Sequence, residues 1–380
     1  MVPAGIIVSG TLQRQAWLDR VLPPVELVRP GLWSIPTEFP RNPLRYVLTY
    51  ALEYDGGVAL VDTGWPCAEA WDALEAGLGQ AGFGIGDVKA VLVTHGHGDH
   101  MGLARRIRER SGAWVAMHEA DANPAVSFGD FDDFRRASDE SLRRRGGLAA
   151  DFAAVRQAAG PDASTFGEFT LTVDRFLVDG ERPLGAGTSL VSVHTPGHTL
   201  GHVCFFDSDR NLLLAGDHIL PRITPNISPA PGQADDLLGL YLGSLTALAD
   251  LRADEVLPAH EYRFIGLAER ITGLLAHHES RLGEIMTELH GVPGATTVTV
   301  AEALKWSRPW SQMLGPQRRF AIGETYAHLV YLERAGYVTN KGLGAGEAGV
   351  DAWHALRDTG PALTEAPVDT GPALTEAPPA

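Results

Sequence analysis

The chain has 380 residues, 44% of them hydrophobic and 21% charged, with a formal net charge of −16. That length and apolar content allow about two to three domains around a sizeable core, while the acidity opposes tight binding of polyanions. The two cysteines, Cys67 and Cys204, argue against a disulfide framework or a cysteine-rich metal site. The opening residues, MVPAGIIVSGTLQRQ, lack the basic-then-apolar pattern of a secretory signal. No run approaches the ~18 apolar residues of a membrane helix. A cytoplasmic protein without membrane contact is expected.

Residues 45–62 read as two hairpin strands, ending in the β-rich run Val58-Ala-Leu-Val61. Helical spacing follows from about Ala68 to Ala81. Val91-Leu-Val93 reads as a buried strand that ends in a histidine-rich loop. A helix begins near Leu103 and carries Arg105, Arg106, Arg108 and Arg110, and Trp114-Val-Ala-Met117 is another strand. Residues 128–158 combine dense charge with helical spacing and are expected to form two inserted helices. Strand-like runs resume through about Asp217, with Cys204 as a buried strand residue. A helix over about Asp235–Asp250 and a short strand, Glu255-Val-Leu257, precede Pro258-Ala-His260-Glu. From Leu267 to Leu289 the spacing is helical again. Thr297-Val-Thr-Val300, an Ala/Glu/Leu helix and a helix from Ile322 to Arg334 follow. The sequence DTGPALTEAP occurs at 358–367 and again at 369–378, so 341–380 is expected to be a disordered repeat tail that can be removed after about Val350.

The chemistry concentrates in Thr94-His-Gly-His-Gly-Asp-His100. His95 and His97 are two apart, so in extended backbone both leave the same face. Asp99 and His100 lie where the chain turns and can aim at a second point. Imidazoles and a carboxylate suit zinc, with iron or manganese as alternatives. A solvent-exposed histidine-rich turn is the competing reading, and four potential ligands within six residues at a strand end weigh against it. His198 in His194-Thr-Pro-Gly-His-Thr199, Asp217 in Leu212-Leu-Leu-Ala-Gly-Asp217 and His260 in Pro-Ala-His-Glu each follow a strand. Each is weak alone, and their order is what counts. His118, His194, His218 and Tyr241 remain open between site and packing roles, while His277 and His278 read as surface or interdomain residues.

In those motifs, over about 45–265, the sequence resembles the metallo-β-lactamase superfamily. The resemblance implies an α+β fold, an αββα sandwich of two mixed sheets flanked by helices. It implies that His95, His97 and His198 bind one metal, that Asp99, His100 and His260 bind the other, and that Asp217 bridges them. Val61-Asp-Thr-Gly64 resembles the family's early aspartate motif, placing Asp62 behind the histidine loop. Asp217, where true β-lactamases usually carry cysteine, resembles the branch of thioesterases, lactonases and nucleases. Glu302-Ala-Leu-Lys-Trp306 and the stretch from Ala321 to Gly336 resemble the winged-helix extension of the beta-lactamase-like protein 2 type. The expected organisation is therefore a catalytic domain at 1–265, a winged-helix-like domain at 266–340 and the tail.

Two zinc ions roughly 3.5–4 Å apart would hold a water and lower its pKa toward about 7 for attack on a carbonyl or phosphoryl centre. Asp99 would orient that nucleophile and pass on its proton. The expected function is hydrolysis of a small ester, thioester or lactone. The alternatives are a phosphodiesterase or ribonuclease of the same fold, and a member that keeps the metal without hydrolysis. Residues 266–340 carry seven acidic and seven basic residues, with no basic stripe, so nucleic acid is the disfavoured partner. That module is assigned to packing or to a homo-oligomer contact.

Overall fold

The computed structural model describes residues 3–122, 131–147, 171–230, 236–313, 315–342 and 349–363. The first half runs β1 (Ile7–Val8), α1 (Thr11–Asp19), β2 (Glu26–Arg29), β3 (Leu32–Glu38), β4 (Tyr46–Tyr54), β5 (Gly57–Val61), α2 (Ala68–Gln80), β6 (Val88–Leu92), α3 (Gly98–Met101), α4 (Ala104–Ser111), β7 (Trp114–Met117), α5 (Glu119–Ala122), α6 (Phe131–Arg144) and β8 (Arg175–Phe176). Then come β9 (Leu190–His194), β10 (Val203–Asp207), β11 (Leu212–Gly216), α7 (Leu237–Leu248), β12 (Glu255–Pro258), β13 (Phe264–Ile265), α8 (Leu267–Gly291), α9 (Thr297–Ala303), α10 (Gly315–Arg334), β14 (Val338–Asn340) and β15 (Trp353–Ala355).

Strands β2 to β8 form one sheet in sequence order, and a second sheet has the order β1-β13-β12-β11-β10-β9. Asp55 and Gly56, at φ 50° and 70°, close the β4–β5 hairpin, because a two-residue hairpin turn that follows the strand twist needs left-handed backbone. Strands buried on both faces read as continuous apolar runs, and β5 and β11 show why. Ala59 and Val61 meet Leu212, Leu214 and Phe205 between the sheets. Val58 and Leu60 point the other way, onto Trp71, Leu74 and Leu78 of α2. Leu213 and Ala215 face outward onto Leu238, Leu242 and Leu245 of α7 and Leu274 of α8. The result is the expected αββα layering. At roughly 25 cal/mol per Å² of apolar area, these three apolar layers carry most of the folding drive.

The last of those clusters continues without a break to Leu329 and Leu332 of α10 and to Trp353. Thr297-Val-Thr-Val300 is helical despite its β-branched residues, since the Thr296 hydroxyl caps the Thr299 amide at 3.1 Å. The helix expected from Ile322 begins at Gly315. The disordered tail expected from 341 needs correction. Asn340 pairs with Trp353 across β14–β15, and Trp353 also bridges to Ala295. The Trp353 ring is buried, and its indole N–H donates to Thr297 Oγ1 at 3.0 Å. The Pro/Gly-rich composition hid one large aromatic whose burial offsets the ordering of its segment. Of the expected insert, 131–144 is helical as α6, while 148–158 lies outside the described residues, as does the second repeat copy.

Candidate metal centre

Every expected ligand sits just beyond a strand end. Asp62 follows β5, the His95–His100 loop follows β6, His198 lies between β9 and β10, Asp217 follows β11, and His260 follows β12. Asp62 takes φ +60°, which turns its carboxylate under the histidine loop. There it accepts from the Thr94 amide at 2.8 Å, from the Thr94 hydroxyl at 2.9 and 3.0 Å, and from His100 Nδ1 at 2.8 Å.

Those contacts fix the ring tautomers. A carboxylate can only accept, so the single Thr94 hydroxyl proton goes to Asp62, and Thr94 Oγ1 receives His95 Nδ1–H at 3.0 Å. His198 Nδ1 donates to the Asn226 carbonyl at 2.8 Å, and His260 Nδ1 to the Tyr46 carbonyl at 2.9 Å. Each of these rings therefore turns Nε2 inward, the atom a metal ion would take.

The inward atoms fall into two groups. His97 Nδ1 lies 2.9 Å from His95 Nε2 and 3.1 Å from His198 Nε2. His260 Nε2 lies 3.3 Å from Asp99 Oδ2, and His100 Nε2 lies 3.6 Å from the same oxygen. Asp217 faces both groups. Its Oδ2 is 3.7 Å from His198 Nε2, and its Oδ1 is 3.3 Å from His260 Nε2 and 3.6 Å from His100 Nε2. Tetrahedral ligands at zinc distances stand about 3.3 Å from one another, so the spacing fits. The donor chemistry fits too, because His100 Nε2, His260 Nε2 and Asp217 Oδ1 are buried with no hydrogen-bond partner among the described residues, and such orphans are costly without a ligand.

Electrostatics separates the groups. Burial pushes the His95 imidazole well below its usual pKa and takes His198 down to about 4, with neighbouring histidines adding to the effect. Both stay neutral at pH 7. Burial also acts against charge on His260 and His100, but Asp217 and Asp99 outweigh it at His260, raising it to about 10, and Asp62 leads the same effect at His100. Burial opposes the Asp99 carboxylate, yet His100 and His260 bring it down to about 2. Without a metal the second group draws protons to itself, the signature of a site built for positive charge.

Sequence reasoning passed over two residues that hold the cage together. Asp121 accepts from the Gly96 amide at 2.8 Å, the Thr199 hydroxyl at 2.6 Å and the Gly201 amide at 2.8 Å, tying the first histidine loop to the His198 turn. His202 is buried, and its Nε2 accepts from the Asp217 amide at 3.2 Å. Neither sits in a ligand-like motif, and only their partners reveal them. Asp121→Ala is expected to weaken metal affinity by about 10- to 100-fold while the chain stays folded, measured by competition with a chromogenic chelator. Unchanged affinity would show that the loops hold themselves.

The residues left open are now placed. His194 Nε2 braces the turn by donating to the Leu200 carbonyl at 2.9 Å, and its ring stacks on His118 at 4.1 Å. His118 is absent from the metal-sized groups among the described residues. Gly197, at φ +141°, lets that turn pass against the Tyr241 backbone, where a Cβ would come within 2.4 Å. Tyr241 is a core residue whose hydroxyl donates to the His218 carbonyl at 3.0 Å. His278, expected at the surface or between domains, is buried between Tyr241 and His328, on the interdomain side of that reading, since α8 lies directly over α7.

The family model described as "Metallo-beta-lactamase superfamily" matches residues 42–260. A metallo-beta-lactamase family protein from Thermus thermophilus is 29% identical, superposes with a TM-score of 0.66, and matches over 87% of this chain and 100% of its own. A beta-lactamase domain protein from Burkholderia ambifaria is 26% identical with a TM-score of 0.71, over 87% of this chain and 94% of its own. The probable metallo-hydrolase YflN of Bacillus subtilis is 29% identical over 42% of this chain and 55% of its own length. The chain spans about a third to a half of the fungal lactamase-like relatives it matches, 36% in Aspergillus niger and 47% in Emericella nidulans.

Proposed function

This chain belongs to the metallo-beta-lactamase superfamily and is a metal-dependent hydrolase, and on that premise we propose a dinuclear zinc enzyme acting on small esters, thioesters or lactones. His95, His97 and His198 would hold one ion, Asp99, His100 and His260 the other, with Asp217 between them. The observation that carries this reading is the division of the Asp217 oxygens, one toward each ligand group. Two dications in such a site supply a nucleophile at neutral pH and polarise the substrate oxygen.

The chain's own residues do the positioning. Asp99 stays ionised and can accept a hydrogen bond from the attacking water, orienting it. Asp62, through His100 and Thr94, keeps two rings in the tautomer the site needs. His97 is exposed while its partners are buried, so solvent and substrate reach the site from its side. The donor set holds no thiolate, which leaves iron and manganese as alternatives to zinc.

For the C-terminal region, helices α8–α10 and the β14–β15 hairpin support a winged-helix-like module, with 1–265 as the catalytic domain. The shared apolar cluster favours a packing role. The test is catalytic efficiency on a thioester and lactone panel against single-stranded RNA, at low and moderate salt. We expect turnover of a carbonyl substrate and little RNA cleavage, because the charge of −16 repels a polyanion. Efficient RNA cleavage that falls steeply with salt would replace this reading with a nuclease.

A further inference from the structure

In this acidic chain one concave surface is basic. A cavity of about 700 Å³ is lined by Arg14, Arg20, Arg45, Arg222 and Arg308, and by no carboxylate among the described residues. Arg222 is neutralised by the buried Glu261, at 2.6 and 3.0 Å. Arg45 lies 3.8 Å over the Trp17 ring and donates to the Trp17 carbonyl at 2.8 Å, which sets its direction without cancelling its charge. The side chains of Arg14, Arg20 and Arg308 have no hydrogen-bond or ion-pair partner among the described residues. Like charges gathered in a cleft repel one another and focus a positive potential, an arrangement that an anion relieves.

The cavity adjoins the cage along the chain. Tyr262, which also lines it, is two residues beyond His260. Glu261, the partner of Arg222, is one beyond, and Arg45 precedes Tyr46, whose carbonyl receives His260 Nδ1. We propose that this pocket binds a phosphate or pyrophosphate group on a small substrate, holding its non-reacting end. The choice of which end it holds rests on the hydrolase reading above. Guanidinium forks match phosphate oxygens in pairs. A volume of about 700 Å³ falls within the range of small-molecule pockets, which favours a compact ligand over a polynucleotide. Arg308 comes from the stretch after α9, so the C-terminal region would contribute to substrate recognition as well as packing.

The test is calorimetric titration of ADP into the zinc-loaded full chain and into Arg14→Gln/Arg308→Gln, with adenosine as the uncharged probe. Thermal unfolding of the variant checks that its fold is kept, and Arg14→Lys/Arg308→Lys should recover part of any loss. We expect ADP to bind, adenosine not to, and the glutamine variant to bind ADP at least tenfold more weakly, with affinity falling as salt rises. A phosphate-bearing thioester should show a KM raised at least tenfold in that variant with kcat retained. Equal ADP binding by both proteins, or none at millimolar concentration, overturns the pocket. Arginine-dependent binding of single-stranded RNA tighter than ADP replaces it with a polynucleotide groove. Arginine-dependent ADP binding without turnover of any thioester supports the pocket and sinks the ester reading alone.

Discussion

Asp217→Ala is expected to lower kcat/KM by about a thousandfold or more, equivalent to roughly 4 kcal/mol of lost transition-state stabilisation. It should also reduce the metal content, expected at about two ions per chain, by one or both. The carboxylate faces both candidate ligand groups within 3.7 Å, so on the dinuclear reading proposed above its removal would take a ligand from each and leave two dications without the anion between them. His218, its neighbour in sequence, is the control. It is buried, its ring nitrogens have no hydrogen-bond partner among the described residues, and it packs on His202 and Tyr241. His218→Ala should cost stability through a cavity, about 1–3 kcal/mol, with turnover within about tenfold of the parent. Elemental analysis and steady-state kinetics on both variants decide the matter. Comparable losses of activity with metal content intact in both would contradict the bridging assignment.

A chain ended at Val350 is expected to lose about 3–5 kcal/mol of stability, while one ended at Leu363 is unchanged. The first truncation removes Trp353 from the cluster shared by α8 and α10, and loss of a buried tryptophan costs about that much. It also removes Asp351, whose carboxylate accepts from Thr297 Oγ1 at 2.7 Å and from Asn340 Nδ2 at 2.9 Å. The single substitution Trp353→Ala should reproduce most of the loss. Thermal or urea unfolding of the three proteins measures it. If ending the chain at Val350 leaves the melting temperature where it was, the hairpin contributes nothing to the fold.

The sequence alone determined the layers and pointed to the residues of the candidate cage. Strands buried on both faces must be apolar throughout, and alternation of Ala59 and Val61 with Val58 and Leu60 between two cores is the outcome of that rule. The candidate ligands were legible because four of the seven lie within six residues and the others follow strands. What ties the cage together was not legible, because Asp121, His202 and Thr94 act through partners that only folding supplies. Asp121 holds Gly201 from 80 residues away, and no local pattern marks such a residue. Composition likewise failed at Trp353, where one buried ring outweighs a run of small residues. The arginines at 14, 45, 222 and 308 are scattered over nearly the whole chain. Only the tertiary structure gathers them, because a pocket is made by surfaces meeting and not by neighbours in sequence.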